Sequence, residues 1–286
     1  MMQSLLVLVF AVIVAGVQSP SPPQFGAATH GVPIDVAVFD GKRVVMNLGA
    51  ADFEIRDNGV RQTPTTADFN TLPIDLRLVF DTSGSISESD LARYLKTMRQ
   101  VAAALEPRDR CEIITFNARI ADAASRQSPP IAIDLRRAGP DGTAFIDAVT
   151  LALVTVPTPD VRRQITIVLS DALDNASFFD EATMLDVARH TDAVVYTVLP
   201  GDPTVGRRVS KARLQAVSLL TGGRLMQTPD HAVASEVNKA IREFRQSYVV
   251  RYVLEGVPAA GWHKLDVRVR GGNGYRVYAR QGYFAR

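Results

Sequence analysis

Side chains that bear oxygen cluster at three places in this sequence, each beside an apolar run or a predicted helix. The first is the Asp-x-Ser-x-Ser pattern of residues 81–85, which follows the apolar run 74–80. The second is the segment 139–143, and the third is residues 170–171, after the run 165–169. Hydroxyl and carboxylate oxygens without His or Cys form a hard ligand set that suits Mg²⁺ or Mn²⁺. The residues predicted to bind the ion are Asp81, Ser83, Ser85, Thr143 and Asp171.

The elements around these residues predict that they meet. From Leu72 onward, apolar strand patterns alternate with segments of helical periodicity, which predicts an open α/β sheet, mostly parallel, with crossover helices. Asp81 stands where the first of these strands ends. Ligands of open α/β sheets bind at the carboxyl ends of the strands. We therefore expect the three clusters to lie at one edge of the sheet.

This alternation continues to about Phe244. The first helix is expected to begin at Ser87, whose hydroxyl can cap its first N–H groups. The further helices are predicted at Phe145–Leu153, Met184–His190, Ala212–Leu220 and Val233–Phe244. The further strands are predicted at Arg110–Phe116, Ile165–Leu169, Ala193–Leu199 and Arg224–Gln227.

Both flanks of the α/β region, residues 31–70 and 247–286, have the alternating pattern of β-strands. Asp57-Asn58-Gly59 predicts one tight hairpin, and the glycine-rich segment 271–274 predicts a second. Neither flank has enough strands to bury a core alone. We therefore expect both flanks to fold into one small β domain, with the α/β domain, residues 72–246, inserted in it.

The first 19 residues predict a secretory signal peptide, because an uncharged apolar stretch is followed by small residues. Residues 20–30 are then a proline-rich linker. An uncleaved membrane anchor is the alternative, but the apolar stretch 5–17 is shorter than the roughly 20 residues that a span needs. The chain is expected to be exported to the periplasm, cell envelope or medium, with no stable membrane span beyond the signal peptide.

Composition excludes some partners and bonds. The formal net charge of +2 gives no basic surface that would indicate a nucleic-acid partner. The single cysteine, Cys111, cannot form an intramolecular disulfide, and its apolar neighbours predict a small buried side chain.

The five predicted ligands resemble the metal-ion-dependent adhesion site of von Willebrand factor type A domains, over about residues 72–244. The resemblance implies that the serines and the threonine bind the metal directly, while one or both aspartates act through water. The Gly that usually follows the last aspartate is Ala172 here, a change that removes no ligand. The resemblance also implies a Rossmann-like sheet flanked by helices.

The flanks resemble those of bacterial exported proteins related to this family. The residues that carry this second resemblance are Asn47-Leu48, Asp52-Phe53, Asp57-Asn58-Gly59 and Arg280-Gln281-Gly282-Tyr283.

Neutral hydroxyl ligands cancel little of a cation's charge, so an open coordination position stays electrophilic toward an outside carboxylate. We therefore expect a non-enzymatic, adhesion-type module whose bound cation is ligated by an Asp or Glu of a protein partner. One alternative is a structural envelope subunit whose metal stiffens the loops, and another is a metal-assisted hydrolase. No nucleophile elbow or phosphate loop occurs, and position 83, where a phosphotransferase would need a second acid, is Ser.

Other polar and aromatic residues are expected to have structural roles. Asp174 and Asn175 are predicted to form turns and not to bind the metal. Trp262 is predicted to anchor the packing of the β domain. Solvated or structural roles are expected for the four histidines, which lack metal-ligand spacing: His30, His190, His231 and His263.

Overall fold

The computed structural model describes residues 31–69, 72–83, 88–135, 141–154, 162–201 and 210–285. The predicted signal peptide and linker, the predicted ligand Ser85 and the predicted cap Ser87 lie outside these ranges. Residues Gly31–Arg286 form one unit by their contacts. Among the described helices, none combines the length and apolar character that crossing a membrane requires.

The described elements follow the order of β, α/β and β segments along the chain. The N-terminal strands are β1 (Val32–Asp40), β2 (Arg43–Val44), β3 (Phe53–Asp57), β4 (Val60–Gln62) and β5 (Pro64–Phe69). The next strands are β6 (Ile74–Asp81), β7 (Arg110–Phe116), β8 (Ile120–Gln127), β9 (Arg163–Leu169), β10 (Val194–Pro200) and β11 (Leu225–Thr228). The last strands are β12 (Tyr248–Tyr252), β13 (Gly261–Val269), β14 (Arg276–Ala279) and β15 (Gly282–Ala285). The helices are α1 (Glu88–Ala103), α2 (Phe145–Leu153), α3 (Glu181–His190), α4 (Lys211–Thr221) and α5 (Val233–Arg245), with short 3₁₀ turns at Ala50–Asp52 and Asp230–Ala232.

The central sheet of the α/β region is mixed. Its described strands lie in the order β11-β10-β9-β6-β7-β8, and the pairs from β11 to β7 are parallel. The edge strand β8 runs antiparallel to β7, and the sequence patterns did not predict it. Only residues 117–119 separate the two strands, and a connection that short can join antiparallel neighbours but not parallel ones. The expectation of a mostly parallel sheet is therefore corrected to a mixed one at this edge.

Helices cover both faces of the central sheet. Met98 of α1 and Phe244 of α5 pack with Leu78 of β6 in one apolar cluster. Phe145 of α2 packs with Val79 in a second cluster, to which α3 and α4 also contribute. Strand β6 is buried along its whole length. On one face Ile74, Leu76, Leu78 and Phe80 enter the first cluster, and on the other Val79 enters the second beside buried polar side chains.

The buried Cys111 confirms the expected small apolar role. It is 0% exposed and belongs to the cluster beneath α1 and α5. Burial raises the pKa of its thiol to about 12, so the group stays protonated near neutral pH.

The two flanks of the chain build their sheets together. Strand β1 pairs with β12 and β14, and β12 pairs with β5, all antiparallel. Strand β13 pairs with β3 and β15, and β3 pairs with β4, again antiparallel. Both sheets contribute to a third apolar cluster, which contains Val36, Phe53, Tyr248 and Leu265. The N-terminal strands thus depend on the C-terminal strands for both hydrogen bonds and core.

One predicted hairpin is confirmed and the other is wrong. Asp57 pairs with Val60, and the two loop residues have positive φ, 48° at Asn58 and 83° at Gly59, as a tight turn requires. The glycine-rich segment 271–274 does not close a hairpin, because β13 and β14 belong to different sheets. The segment carries the chain from one sheet to the other, where β14 pairs with β1. Apolar side chains of both strands then pack against the third cluster.

The Arg280-Gln281-Gly282-Tyr283 segment joins the C-terminal strands to the helices. The Arg280 guanidinium donates to the Thr191 carbonyl at 2.6 Å, and the Gln281 N–H donates to the Leu220 carbonyl at 3.1 Å. A side chain at position 282 would place its Cβ 2.3 Å from the Trp262 ring, so glycine is required there by close packing. Trp262 packs within the β domain as expected, since its ring centroid also lies 5.6 Å from that of Phe284, although it is half-buried and lies outside the third apolar cluster.

Asp57, in the tight hairpin, also centres a buried polar cluster. His263 Nδ1 lies 2.7 Å from one Asp57 oxygen, and the hydroxyls of Tyr252 and Tyr283 donate to the other at 2.7 and 3.0 Å. Burial raises the pKa of both phenols, which therefore remain donors to the carboxylate. His263 is fully buried, so its predicted structural role is confirmed.

Candidate metal centre

Asp81 is the last residue of β6, which lies between β9 and β7 in the sheet. It is only 4% exposed. The Ser83 N–H donates to Asp81 Oδ1 at 3.0 Å, and the Ser170 hydroxyl donates to Oδ2 at 2.7 Å. Burial raises the pKa of Asp81 above its ordinary value, and the neighbouring Asp171 adds to the rise, while the two serines oppose it. The carboxylate is thus held in a fixed orientation at a buried strand end.

Ser170 is a positioning residue that sequence reasoning did not assign. Its hydroxyl donates to Asp81 and also accepts the Ala172 N–H at 2.9 Å. It therefore ties the end of β9 to the end of β6. Its signal in the sequence is a hydroxyl residue at the end of an apolar strand, one position before the predicted ligand Asp171.

Thr143 lies just before α2, and its backbone position depends on the preceding glycine. Gly142 has φ of +140°, and a Cβ there would lie 2.9 Å from the Ala118 Cβ. Thr143 itself is 9% exposed, its N–H donates to Asn175 Oδ1 at 2.7 Å, and its carbonyl accepts the Asn175 N–H at 3.0 Å. We call residues 170–179 the third loop, and its Asn175 therefore fixes the backbone of the loop that precedes α2.

Asp171 and Ala172 lie near the start of the third loop. Asp171 Oδ1 accepts the Leu173 N–H at 3.1 Å, and its carbonyl accepts the Ser210 N–H at 3.0 Å. Ala172 has φ of 57°, the left-handed region that costs a residue with a side chain roughly 1–2 kcal/mol. The Arg213 guanidinium donates to the Ala172 carbonyl at 2.7 Å. The loop therefore has a glycine-like backbone although alanine stands where the resemblance expects glycine.

Asp174 and Asn175 are loop residues, as predicted. Asp174 Oδ2 accepts the Ile146 N–H at 2.9 Å and the Ser177 hydroxyl at 2.6 Å. The Ile146 N–H belongs to the first turn of α2, where backbone donors lack partners within the helix. These side chains therefore join the third loop to the start of α2.

Asp147 is a second residue that sequence reasoning missed. Its carboxylate accepts the N–H groups of Phe178 at 2.8 Å and Phe179 at 2.9 Å, while its own N–H donates to the Ser177 hydroxyl at 3.0 Å. The only signal in the sequence is an acidic residue in the first turn of a helix, a position that the helix dipole also favours. The far end of the third loop is thus fixed to α2 as well.

These contacts connect four of the five predicted positions. The third loop is hydrogen-bonded to Asp81 through Ser170 and to Thr143 through Asn175, and it contains Asp171. Ser83 joins them through its N–H bond to Asp81. Ser85, the remaining predicted ligand, lies outside the described residues.

The donor chemistry of the described positions fits a hard divalent cation. Asp81 and Asp171 supply carboxylate oxygens, and Ser83 and Thr143 supply hydroxyl oxygens. The described part of the chain contains no group of three or more His, Cys, Asp or Glu side chains placed to hold a metal. A site here would therefore depend on hydroxyl ligands beside its two carboxylates.

Solved structures of the von Willebrand factor A type are similar to this chain. Proximal thread matrix protein 1 from the mussel byssus matches with a TM-score of 0.52 at 14% identity, covering 65% of this chain and 49% of that chain. A second structure of the mussel protein, with a zinc-occupied MIDAS motif, matches with a TM-score of 0.50 at 16% identity over 65% and 49%. A von Willebrand factor type A structure from Catenulispora acidiphila matches with a TM-score of 0.50 at 10% identity, covering 90% of this chain and 75% of that chain.

These likenesses show the fold alone. No protein-family model matches the sequence, and no curated protein matches it. The chain spans about half the length of the mussel protein, 49%. The mixed α/β fold is therefore of the von Willebrand factor A type.

Replacing Asp147 with alanine tests whether this carboxylate orders the third loop. We expect Asp147→Ala to speed hydrogen exchange at the Phe178 and Phe179 amides and to lower the free energy of unfolding by about 2 kcal/mol, because two N–H groups lose a charged acceptor. Asp186→Ala is the matched control, since within the described part of the chain that carboxylate makes long surface ion pairs at 3.8 and 3.9 Å. Exchange at the two amides that stays at the wild-type rate in Asp147→Ala would contradict this role.

Proposed function

We propose that this von Willebrand factor A-like chain is a non-enzymatic module that binds a protein partner through a divalent cation. One observation carries the proposal. The third loop is hydrogen-bonded to both Asp81 and Thr143. Residues of all three predicted loops therefore lie together at the carboxyl edge of the sheet. Ligand sites of open α/β sheets occupy this edge.

The chain's own side chains would hold the ion in two ways. The hydroxyls of Ser83, Ser85 and Thr143 would bind it directly, while Asp81 and Asp171 would bind it directly or through water. When bound, Mg²⁺ supplies an electrophilic coordination position for a carboxylate oxygen of a partner's Asp or Glu. Mn²⁺ has the same preference for oxygen ligands.

The comparisons support divalent-metal binding in general. The mussel protein of similar fold has zinc in its MIDAS motif. For this chain we propose Mg²⁺ or Mn²⁺ instead, because the predicted ligands are oxygens and include neither His nor Cys.

A role limited to stiffening the loops is the alternative. The hydrogen bonds from Ser170, Asn175 and Asp147 argue against it, because they fix the third loop through protein contacts alone. A cation would add little order to a loop held in this way, so we favour a cation that serves a partner.

We further propose that the chain is exported to the cell envelope or beyond, on the strength of its first 19 residues. Fractionation of producing cells, with the N-terminal mass of the recovered protein, tests this. A mature chain outside the cytoplasm that begins near residue 20 is expected. A full-length chain that remains in the cytoplasm would contradict export.

Calorimetric titration with Mg²⁺ and Mn²⁺ tests the proposed site. We expect the wild type to bind both ions, and Asp81→Ala and Thr143→Ala to weaken binding by at least about tenfold, or 1.4 kcal/mol. Asp186→Ala, which removes a carboxylate from the surface of α3, should bind like the wild type. Circular dichroism of each variant shows whether it folds. Equal affinity in all four folded proteins, or no binding by the wild type, would contradict the site.

A further inference from the structure

The loop that follows the predicted ligand Asp171 exposes three large apolar side chains. Leu173 is 40% exposed, Phe178 is 89% exposed and Phe179 is 45% exposed. The two phenylalanine rings lie 5.5 Å apart, edge to face. The two rings together form one apolar surface that is open to water, and contiguous surfaces of this kind mark interaction sites. We call these three side chains the aromatic rim.

The backbone beneath the aromatic rim is held in place. Asp147 accepts the N–H groups of both phenylalanines, and Asp174 accepts the Ile146 N–H from α2. Arg213 donates to the carbonyl of Ala172, next to Leu173. A fixed backbone reduces the ordering that a partner must bring about, so the rim is organised for binding before contact.

The aromatic rim is joined to the proposed metal centre through α2, because Asp147, which accepts the N–H groups of both phenylalanines, stands four residues after Thr143. One loop, residues 170–179, contains Ser170 and Asp171 at its start and the two phenylalanines at its end. Between them, Asn175 holds the backbone of Thr143. About one helical turn separates the residue that holds the rim from Thr143, so a segment of a few residues can reach both the centre and the rim.

We infer that the aromatic rim is an apolar contact surface for the partner segment whose Asp or Glu reaches the cation. The recognised segment then carries a large apolar side chain within a few residues of its acid. This inference rests on the proposed function and adds the source of specificity, since a carboxylate alone is common to all protein surfaces.

The charge around the aromatic rim and its small size favour a short partner segment over a membrane or a second copy of the chain. Asp174 and the exposed Asp180 lie on either side of the phenylalanine pair in the sequence, and carboxylates oppose insertion among anionic lipid headgroups. Three side chains also cover far less than the roughly 800 Å² per partner that a stable protein interface buries. A short segment held jointly by the cation and the rim fits both facts.

Synthetic peptides test the inference on the full chain. The first peptide is acetyl-Gly-Phe-Gly-Glu-Gly-Phe-Gly-amide, the second has Gly in place of both Phe residues, and the third has Gln in place of Glu. With saturating Mg²⁺, calorimetry is expected to show the first peptide binding at least about tenfold more tightly than the second, the factor that partial burial of one aromatic ring supplies. The third peptide, and the first in excess EDTA, should not bind.

The double variant Phe178→Ser and Phe179→Ser should bring the ratio between the first two peptides to about one while Mg²⁺ affinity stays at the wild-type value. A matched control is Met46→Ser with Tyr275→Ser, which removes two exposed apolar side chains outside the loop and should leave the ratio unchanged. The Mg²⁺ titration separates the two claims. Absent Mg²⁺ binding overturns the proposed function and this inference with it, whereas Mg²⁺ binding without a preference between the peptides overturns this inference alone.

Other occupants give distinct results. Metal-independent binding of the first peptide would show that the cation and the aromatic rim do not bind the segment together. Binding of the wild type to phosphatidylcholine vesicles that the double variant loses assigns the rim to lipid. Dimerisation that the double variant loses assigns it to a second copy. Each of these results overturns the inference.

Discussion

A carboxylate that is buried at the end of a central strand needs hydrogen-bond donors, and this need governs the loops around Asp81. Its two oxygens are satisfied by the Ser83 N–H, two residues along the chain, and by the hydroxyl of Ser170, which directly follows the neighbouring strand β9. The second bond depends on the parallel register of β6 and β9, in which Phe80 lies beside Leu169. A shift of one residue between these strands would turn the Ser170 side chain to the opposite face of the sheet. The apolar clusters that fix this register therefore also fix the proposed metal centre.

Further hydrogen bonds connect the third loop, which begins at Ser170, to the start of α2. Asn175, Asp174 and Asp147 each bond to the loop or helix that faces them, so the residues from Ser170 to Phe179 follow the start of α2 closely. Backbone donors of the first helical turn are satisfied in the same contacts. One set of hydrogen bonds thus completes the helix end, places Thr143 and holds the aromatic rim out to solvent. The proposed binding surface is a rigid extension of the α/β core.

The sequence predicts the parts of this arrangement that depend on neighbouring residues better than those that depend on residues far apart in the chain. Asp81 and Asp171 could be predicted at strand ends, because apolar runs mark buried strands and parallel topology brings their ends to one edge. The tight turn at Asn58-Gly59 could be predicted from local turn chemistry. The roles of Ser170 and Asp147 could not, since they depend on partners 89 and about 30 residues away whose approach only the packed fold determines. Strand β8 and the separation of β13 from β14 were missed for a related reason. Local patterns show where a strand or turn lies, but not which neighbour it pairs with.

Crystals grown with Mn²⁺ and measured for anomalous scattering test most directly whether the three loops hold a cation with a coordination position open to an outside carboxylate. We expect one strong peak bounded by Ser83, Ser85 and Thr143, with Asp81 and Asp171 beside it and solvent at one or more coordination positions. No peak at this edge of the sheet, or an ion enclosed by six ligands from the chain itself, would contradict this expectation.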